Sequence, residues 1–136
     1  MQFVPYLNFD GECEAAFKFY EQHFGGKIVA MFTQEDAPDG CQIPAEWAKR
    51  IMHAVLIVGD AVLMGCDMPP GSPAAPGNIQ VSLMIDTPEE AERIFHALAD
   101  GGTVKFPIQE TFWAVRFGTV DDRFGIPWMI NCEKAH

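Results

Sequence analysis

Apolar and polar positions along this chain follow two periods, one helical and one alternating. Gln2 to Phe9 (QFVPYLNF) has the extended character of a strand, Asp10-Gly11 breaks the run, and Glu12 to Phe24 switches to helical spacing. In that helix Ala16, Phe17, Phe19, Tyr20 and Phe24 make a broad apolar stripe, with Glu14, Lys18, Glu21 and Gln22 on the other side. Gly25-Gly26 terminates it. Lys27 to Thr33 predicts a strand, and Gln34 to Trp47 a loop containing Pro38, Gly40 and Pro44. Lys49 to Val58 predicts a further strand, joined by a two-residue Gly59-Asp60 turn to Ala61 to Asp67. Residues 68–77 (MPPGSPAAPG) are the chain's only linker-like stretch.

The second half repeats the order. Asn78 to Asp86 predicts a strand, and Thr87-Pro88-Glu89-Glu90 starts a helix with Thr as N-cap and Pro at the first helical position. That helix ends at Gly101-Gly102, and strands follow over Val104 to Phe106, Thr111 to Val120 and Ile126 to Cys132. Adding 76 carries Asp10 to Asp86, Glu14 to Glu90, Ala15 to Ala91, Phe19 to Phe95 and Gly25-Gly26 to Gly101-Gly102. Such register argues for a duplicated β-α-β-β-β unit. The expected organisation is one α+β domain over 1–136, with module one at 1–67, a linker at 68–77 and module two at 78–136. In each module a helix covers one sheet face, and the two free faces are expected to enclose a cleft that takes a ligand.

Composition narrows the partners. With 136 residues, 49% hydrophobic and 21% charged, the chain is an ordinary globule that needs no disulfides. Nine Lys and Arg against 19 Asp and Glu give a formal charge of −10, which speaks against nucleic acid and favours neutral or cationic ligands. No apolar run is long enough for a membrane span, and Met-Gln-Phe-Val-Pro lacks a basic n-region, so a cytoplasmic protein is expected. Cys13, Cys41, Cys66 and Cys132 form no C-x-x-C pair and read as small buried residues rather than as a disulfide framework or a zinc site.

Three motifs stand in order: PYLNFDGECEAAFKFY from Pro5, HAVLIVGDAVLMGCD from His53 and TFWAVRFGTVDDRFGIPWMIN from Thr111. With the paired βαβββ pattern, they make the chain resemble the vicinal oxygen chelate (VOC) superfamily, the glyoxalase/bleomycin resistance/dioxygenase fold, and within it the PhnB-like subgroup. Some members of that subgroup carry a demethylubiquinone methyltransferase label. No glycine-rich strand-to-helix loop of the nucleotide-cradling kind supports that activity here. The resemblance implies that metal-dependent members hold a divalent ion with His, Gln or Glu from the first and last strands of each module. Counting along the chain puts those positions at Pro5, Met64, Gln80 and Met129, of which only Gln80 can coordinate a hard ion. No metal and no cofactor are therefore expected.

Alternation places Ile79, Val81, Leu83 and Ile85 beneath the second helix, and Gln80, Ser82 and Met84 on the opposite, ligand-facing side. His23 and His96 fall in helices and His136 is terminal, which leaves His53, on a strand, as the candidate general base or as a hydrogen-bonded structural histidine. No nucleophile stands in a recognisable elbow. Trp113 and Arg116 are ligand-binding candidates that parity puts on opposite faces, and Arg116 needs a partner such as Glu110 or an anionic ligand group. Trp47 is a candidate cap over the cleft, whereas Asp121-Asp122 reads as turn chemistry.

The expected function is small-molecule binding in a largely apolar, metal-free cleft lined by Met64, Gln80, Ser82, Met129, Trp47, Trp113 and Arg116. The alternatives are a metal-dependent lyase, isomerase or dioxygenase-like enzyme using His53, and a drug-sequestering resistance protein suggested by the acidic charge. A homodimer is expected, with modules exchanged across the stiff proline-rich linker.

Overall fold

A computed structural model describes residues 1–36, 44–70 and 79–134. The chain divides into two compact units, Met1–Ala74 and Ala75–His136. In the first, β1 (Tyr6–Phe9) leads into α1 (Cys13–Phe24), followed by β2 (Lys27–Thr33), a 3₁₀ turn at Gln34–Asp36, α2 (Ala45–Ala48), β3 (Ile51–Val58) and β4 (Ala61–Asp67). In the second, β5 (Val81–Met84) leads into α3 (Pro88–Ala99), then β6 (Thr103–Gln109), β7 (Ala114–Asp121) and β8 (Pro127–Glu133). The sheets run β1-β4-β3-β2 and β5-β8-β7-β6. In each, the first strand lies parallel to the last and the other pairings are antiparallel. This is the duplicated βαβββ unit that the periodicity predicts.

Local chemistry accounts for the helix ends. Gly25, at φ 76°, closes α1 in the left-handed conformation that a Cβ disfavours. α3 begins at Thr87, whose hydroxyl accepts from the Glu90 amide at 3.2 Å, with Pro88 in the first turn. The start of α1 is capped from a distance. Asp67, at the end of β4, accepts from the Cys13 amide at 3.0 Å and from the Ile51 amide at 2.9 Å, tying helix and β3 together.

Each helix seals one sheet face. Phe17 and Tyr20 of α1 are buried with Leu7, Phe9, Ala54, Leu56 and Leu63; Ala91, Ile94, Phe95 and Leu98 of α3 are buried with Val120, Trp128, Ile130 and Cys132. Both helices press a phenylalanine onto a strand glycine. A Cβ on Gly65 would stand 2.8 Å from the Phe17 ring, and one on Gly118 would stand 2.7 Å from the Phe95 ring.

Several boundaries differ from expectation. The expected loop over Gln34–Trp47 contains the 3₁₀ turn and α2, while Pro38, Gly40 and Cys41 lie outside the described residues. The first strand begins at Tyr6 rather than Gln2, and the fifth covers Val81–Met84 rather than Asn78–Asp86, with single bonds from the Met64 amide to the Pro5 carbonyl and from the Ile85 amide to the Asn131 carbonyl just beyond the paired residues. Ile79 is accordingly not beneath the helix but 76% exposed. The seventh strand begins at Ala114, since Thr111 closes a turn through its amide to the Ala114 carbonyl and its hydroxyl from the Ala114 amide. Residues 71–77 of the linker, Asn78 and His136 also lie outside the described residues.

Candidate functional site

The helix-free face of the first sheet carries a connected polar group among apolar side chains. Tyr6 on β1 pairs with Met64 on β4, and Met64 with Val55 on β3, so these three share a face. Asn8 and Cys66 form the next pair on that face. The half-buried His53 of β3 meets Tyr6, with its Nδ1 3.1 Å from the Tyr6 Oη and the rings stacked at 5.8 Å and 21°. Cys66 donates its thiol proton towards Asn8 Oδ1 at 3.5 Å. Although the Tyr6 ring is partly exposed, burial at this end, reinforced by the neighbouring Cys66, pushes its hydroxyl up to about 12.

That hydroxyl therefore stays protonated across the physiological range. A phenol is the better donor and an imidazole nitrogen the better acceptor, so the Tyr6 O–H donates to Nδ1. Neutral His53 then carries its own proton on Nε2, for which no partner is found among the described residues.

On the second sheet, the parallel register pairs Ser82 with Met129 and Met84 with Asn131, and β7 sets Thr119 beside Met129 and Phe117 beside Asn131. Phe117 anchors a chain of edge-to-face rings, reaching Phe106 at 5.5 Å and Trp113 at 5.2 Å, and from Trp113 to Phe112 at 4.8 Å. Phe106, Phe112, Trp113 and Met84 are all exposed. The Asn131 amide nitrogen donates to the Met84 sulfur at 3.4 Å.

Several sequence-selected positions shift. Met64 shares its face with Tyr6 rather than Pro5, which instead supplies its carbonyl to the Met64 amide at 3.0 Å. Met129 pairs with Ser82, whereas Gln80 precedes β5 and is exposed. The duplication itself held the signal, since adding 76 to Tyr6 gives Ser82. Arg116 turns to the helix side, where its Nε donates to Glu92 at 2.9 Å and its Nη1 to the Val115 carbonyl at 2.7 Å. Glu110, the partner expected for Arg116, pairs with Lys134 at 3.3 Å instead. Trp47 lies half-buried in α2, and its ring nitrogen makes no hydrogen bond among the described residues. Asp122 does serve its turn, accepting from the Phe124 and Ile126 amides and from the Trp128 indole. Alternation does not distinguish Tyr6, Asn8, Cys66 and Asn131 as site residues, because it does not say which strands become neighbours.

By register, Tyr6 stands beside Met64 on the first sheet and Ser82 beside Met129 on the second. Neither pair, a phenol with a thioether or a hydroxyl with a thioether, fits a hard divalent ion, which calls for carboxylates or imidazoles. Among the described residues no three His, Cys, Asp or Glu side chains converge elsewhere.

Known proteins share this architecture. Residues 2–130 match the family model of the Glyoxalase/Bleomycin resistance protein/Dioxygenase superfamily. The chain is 36% identical to Protein YjdN of Escherichia coli (strain K12), covering 98% of this chain and 97% of that protein. The crystal structure of protein PA1353 from Pseudomonas aeruginosa is 47% identical, with a TM-score of 0.89 and 99% of each chain covered. The PhnB protein of Bacillus cereus has the same fold at 22% identity, with a TM-score of 0.77 over 97% of this chain and 99% of that one. The chain belongs to the Glyoxalase/Bleomycin resistance protein/Dioxygenase superfamily, whose PhnB-like subgroup its motifs resemble and whose fold it shares.

Proposed function

We propose that this protein binds a small organic molecule, neutral or cationic, against its helix-free sheet surfaces without the help of a divalent ion. One observation carries the reading. On the first sheet the Tyr6 phenol stands beside the Met64 thioether, and on the second the Ser82 hydroxyl stands beside the Met129 thioether, with Phe117, Phe106 and Trp113 in ring contact on that sheet. Such surfaces bind by apolar contact and by a few placed polar groups. On the first sheet Met64 supplies apolar contact, with Trp47 at the periphery; on the second Met129 and Trp113 supply it, and Ser82 and Gln80 supply hydrogen bonds. His53 acts through Nε2–H as a donor to a carbonyl oxygen. Arg116, held by Glu92, supports the sheet from behind.

The net charge of −10 favours a cation over an anion as the ligand's charged part and disfavours nucleic acid. No helix among the described residues is long and apolar enough to cross a membrane. A cytoplasmic homodimer completes the proposal, and sedimentation at micromolar concentration checks the assembly, a particle of one chain's mass counting against it.

The deciding experiment is mass spectrometry of small molecules released from protein purified without chelator, with metal analysis of the same sample. A retained organic molecule and no stoichiometric divalent ion are expected. A stoichiometric ion with no organic ligand would sink the reading in favour of metal-dependent chemistry.

A further inference from the structure

Two buried side-chain polar atoms have no hydrogen-bond partner among the described residues, Thr33 Oγ1 and Asn131 Oδ1. The first lies beside the Asp36 carboxylate, which accepts from the Thr33 amide at 2.9 Å. The second has no such neighbour. Asn131 is only 9% exposed, on the helix-free side of its sheet, in register with Met84 on one flank and Phe117 on the other. Its amide orientation is dictated by chemistry. The Met84 thioether is an acceptor, so the nitrogen belongs against it, and a flipped amide would set two acceptors face to face. The carbonyl oxygen is therefore the group left over, and an unpaired buried acceptor destabilises the fold that keeps it.

We propose that Asn131 Oδ1 is a ligand-binding acceptor, taking a hydrogen bond from an N–H or O–H group on an otherwise flat, apolar molecule that lies against Met84, Met129 and Phe117. This rests on the reading of the helix-free surface as a binding surface, and it adds the chemical class of the ligand. Access is provided by Met84, which is 60% exposed, unbranched and able to swing aside without backbone movement. The edge-to-face rings of Phe117, Phe106 and Trp113 offer the flat apolar contact. A site built around a buried acceptor rejects analogues that lack the donor, because their binding leaves the acceptor unpaired.

The test uses two probes of nearly equal shape, 2-naphthol and 2-methoxynaphthalene, titrated into the full chain at neutral pH and followed by fluorescence. The naphthol is expected to bind about tenfold more tightly or better, the effect of one buried donor–acceptor pair. Asn131→Leu should bind both probes alike and unfold at the same or a higher temperature. Equal binding by the unmodified protein overturns the inference while leaving an apolar binding surface intact. So does a leucine variant that keeps the preference, or one that folds but melts far lower, which marks the amide as structural. Failure of both probes to bind overturns the inference and the underlying reading together. If the variant does not fold, the two probes on the unmodified protein still decide.

Discussion

The Tyr6 hydroxyl meets His53 Nδ1 at 3.1 Å across 47 residues of chain, joining the first strand of the unit to its third over the strand between them. The contact makes Tyr6 the residue that orients His53. It also selects Nε2 as the ring nitrogen that carries the proton and is left for other partners.

The first prediction follows from that contact. Nitrogen-15 NMR of the His53 ring at a pH where it is neutral should report the Nε2–H tautomer, and Tyr6→Phe should shift the population towards the mixture seen in free histidine. A dominant Nδ1–H form in the unmodified protein would reverse the donor assignment.

Tyr6 itself should titrate late. Spectrophotometric titration of the phenolate is expected to show a group near pH 12 that disappears in Tyr6→Phe, the shift coming from burial and then from Cys66. The sign for stability follows. A tyrosine near 10 in the unfolded chain and near 12 in the folded one is protonated more readily in the folded state. Its contribution is whole below pH about 10 and is lost as pH rises towards 12. Denaturant melts across that window should show a steeper alkaline fall for the parent than for Tyr6→Phe.

Gly118→Ala should destabilise by about 1–3 kcal/mol, the usual cost of an extra methyl group in a packed core. Its Cβ would stand 2.7 Å from the Phe95 ring and 3.0 Å from the Ile108 Cα, and a backbone atom cannot step aside as a side-chain tip can. Gly65→Ala should behave alike, against the Leu7 carbonyl and Phe17. Urea midpoints measure both, and an unchanged midpoint would mean that the helices are less tightly seated than these distances require.

Asp122→Ala should cost more than either, about 3 kcal/mol or above, because it strips the partners from two backbone amides and from the buried Trp128 indole at once. Trp128 fluorescence provides the local readout. A variant as stable as the parent would show that solvent can replace the carboxylate there.

Much of this protein is decided by neighbours in sequence. Thr87 and Pro88 start a helix wherever they precede an apolar stripe, Gly25 ends one, and Gly59-Asp60 folds one strand back on the next, since these are preferences of a few adjacent dihedrals. The offset of 76 extends the same legibility to the duplicated architecture. The surface chemistry was settled elsewhere. Whether Pro5 or Tyr6 stands beside Met64 depends on parallel pairing between strands more than fifty residues apart, and a one-residue slip there exchanges one face for the other. Arg116 found Glu92 rather than Glu110 because α3 crosses behind β7. The unpaired carbonyl of Asn131 exists only once Met84 and Phe117 close on either side, so no pattern within the strand foretells it. Elements follow from local dihedral preference and periodicity; which side chains meet follows from pairings that only the packed chain can choose.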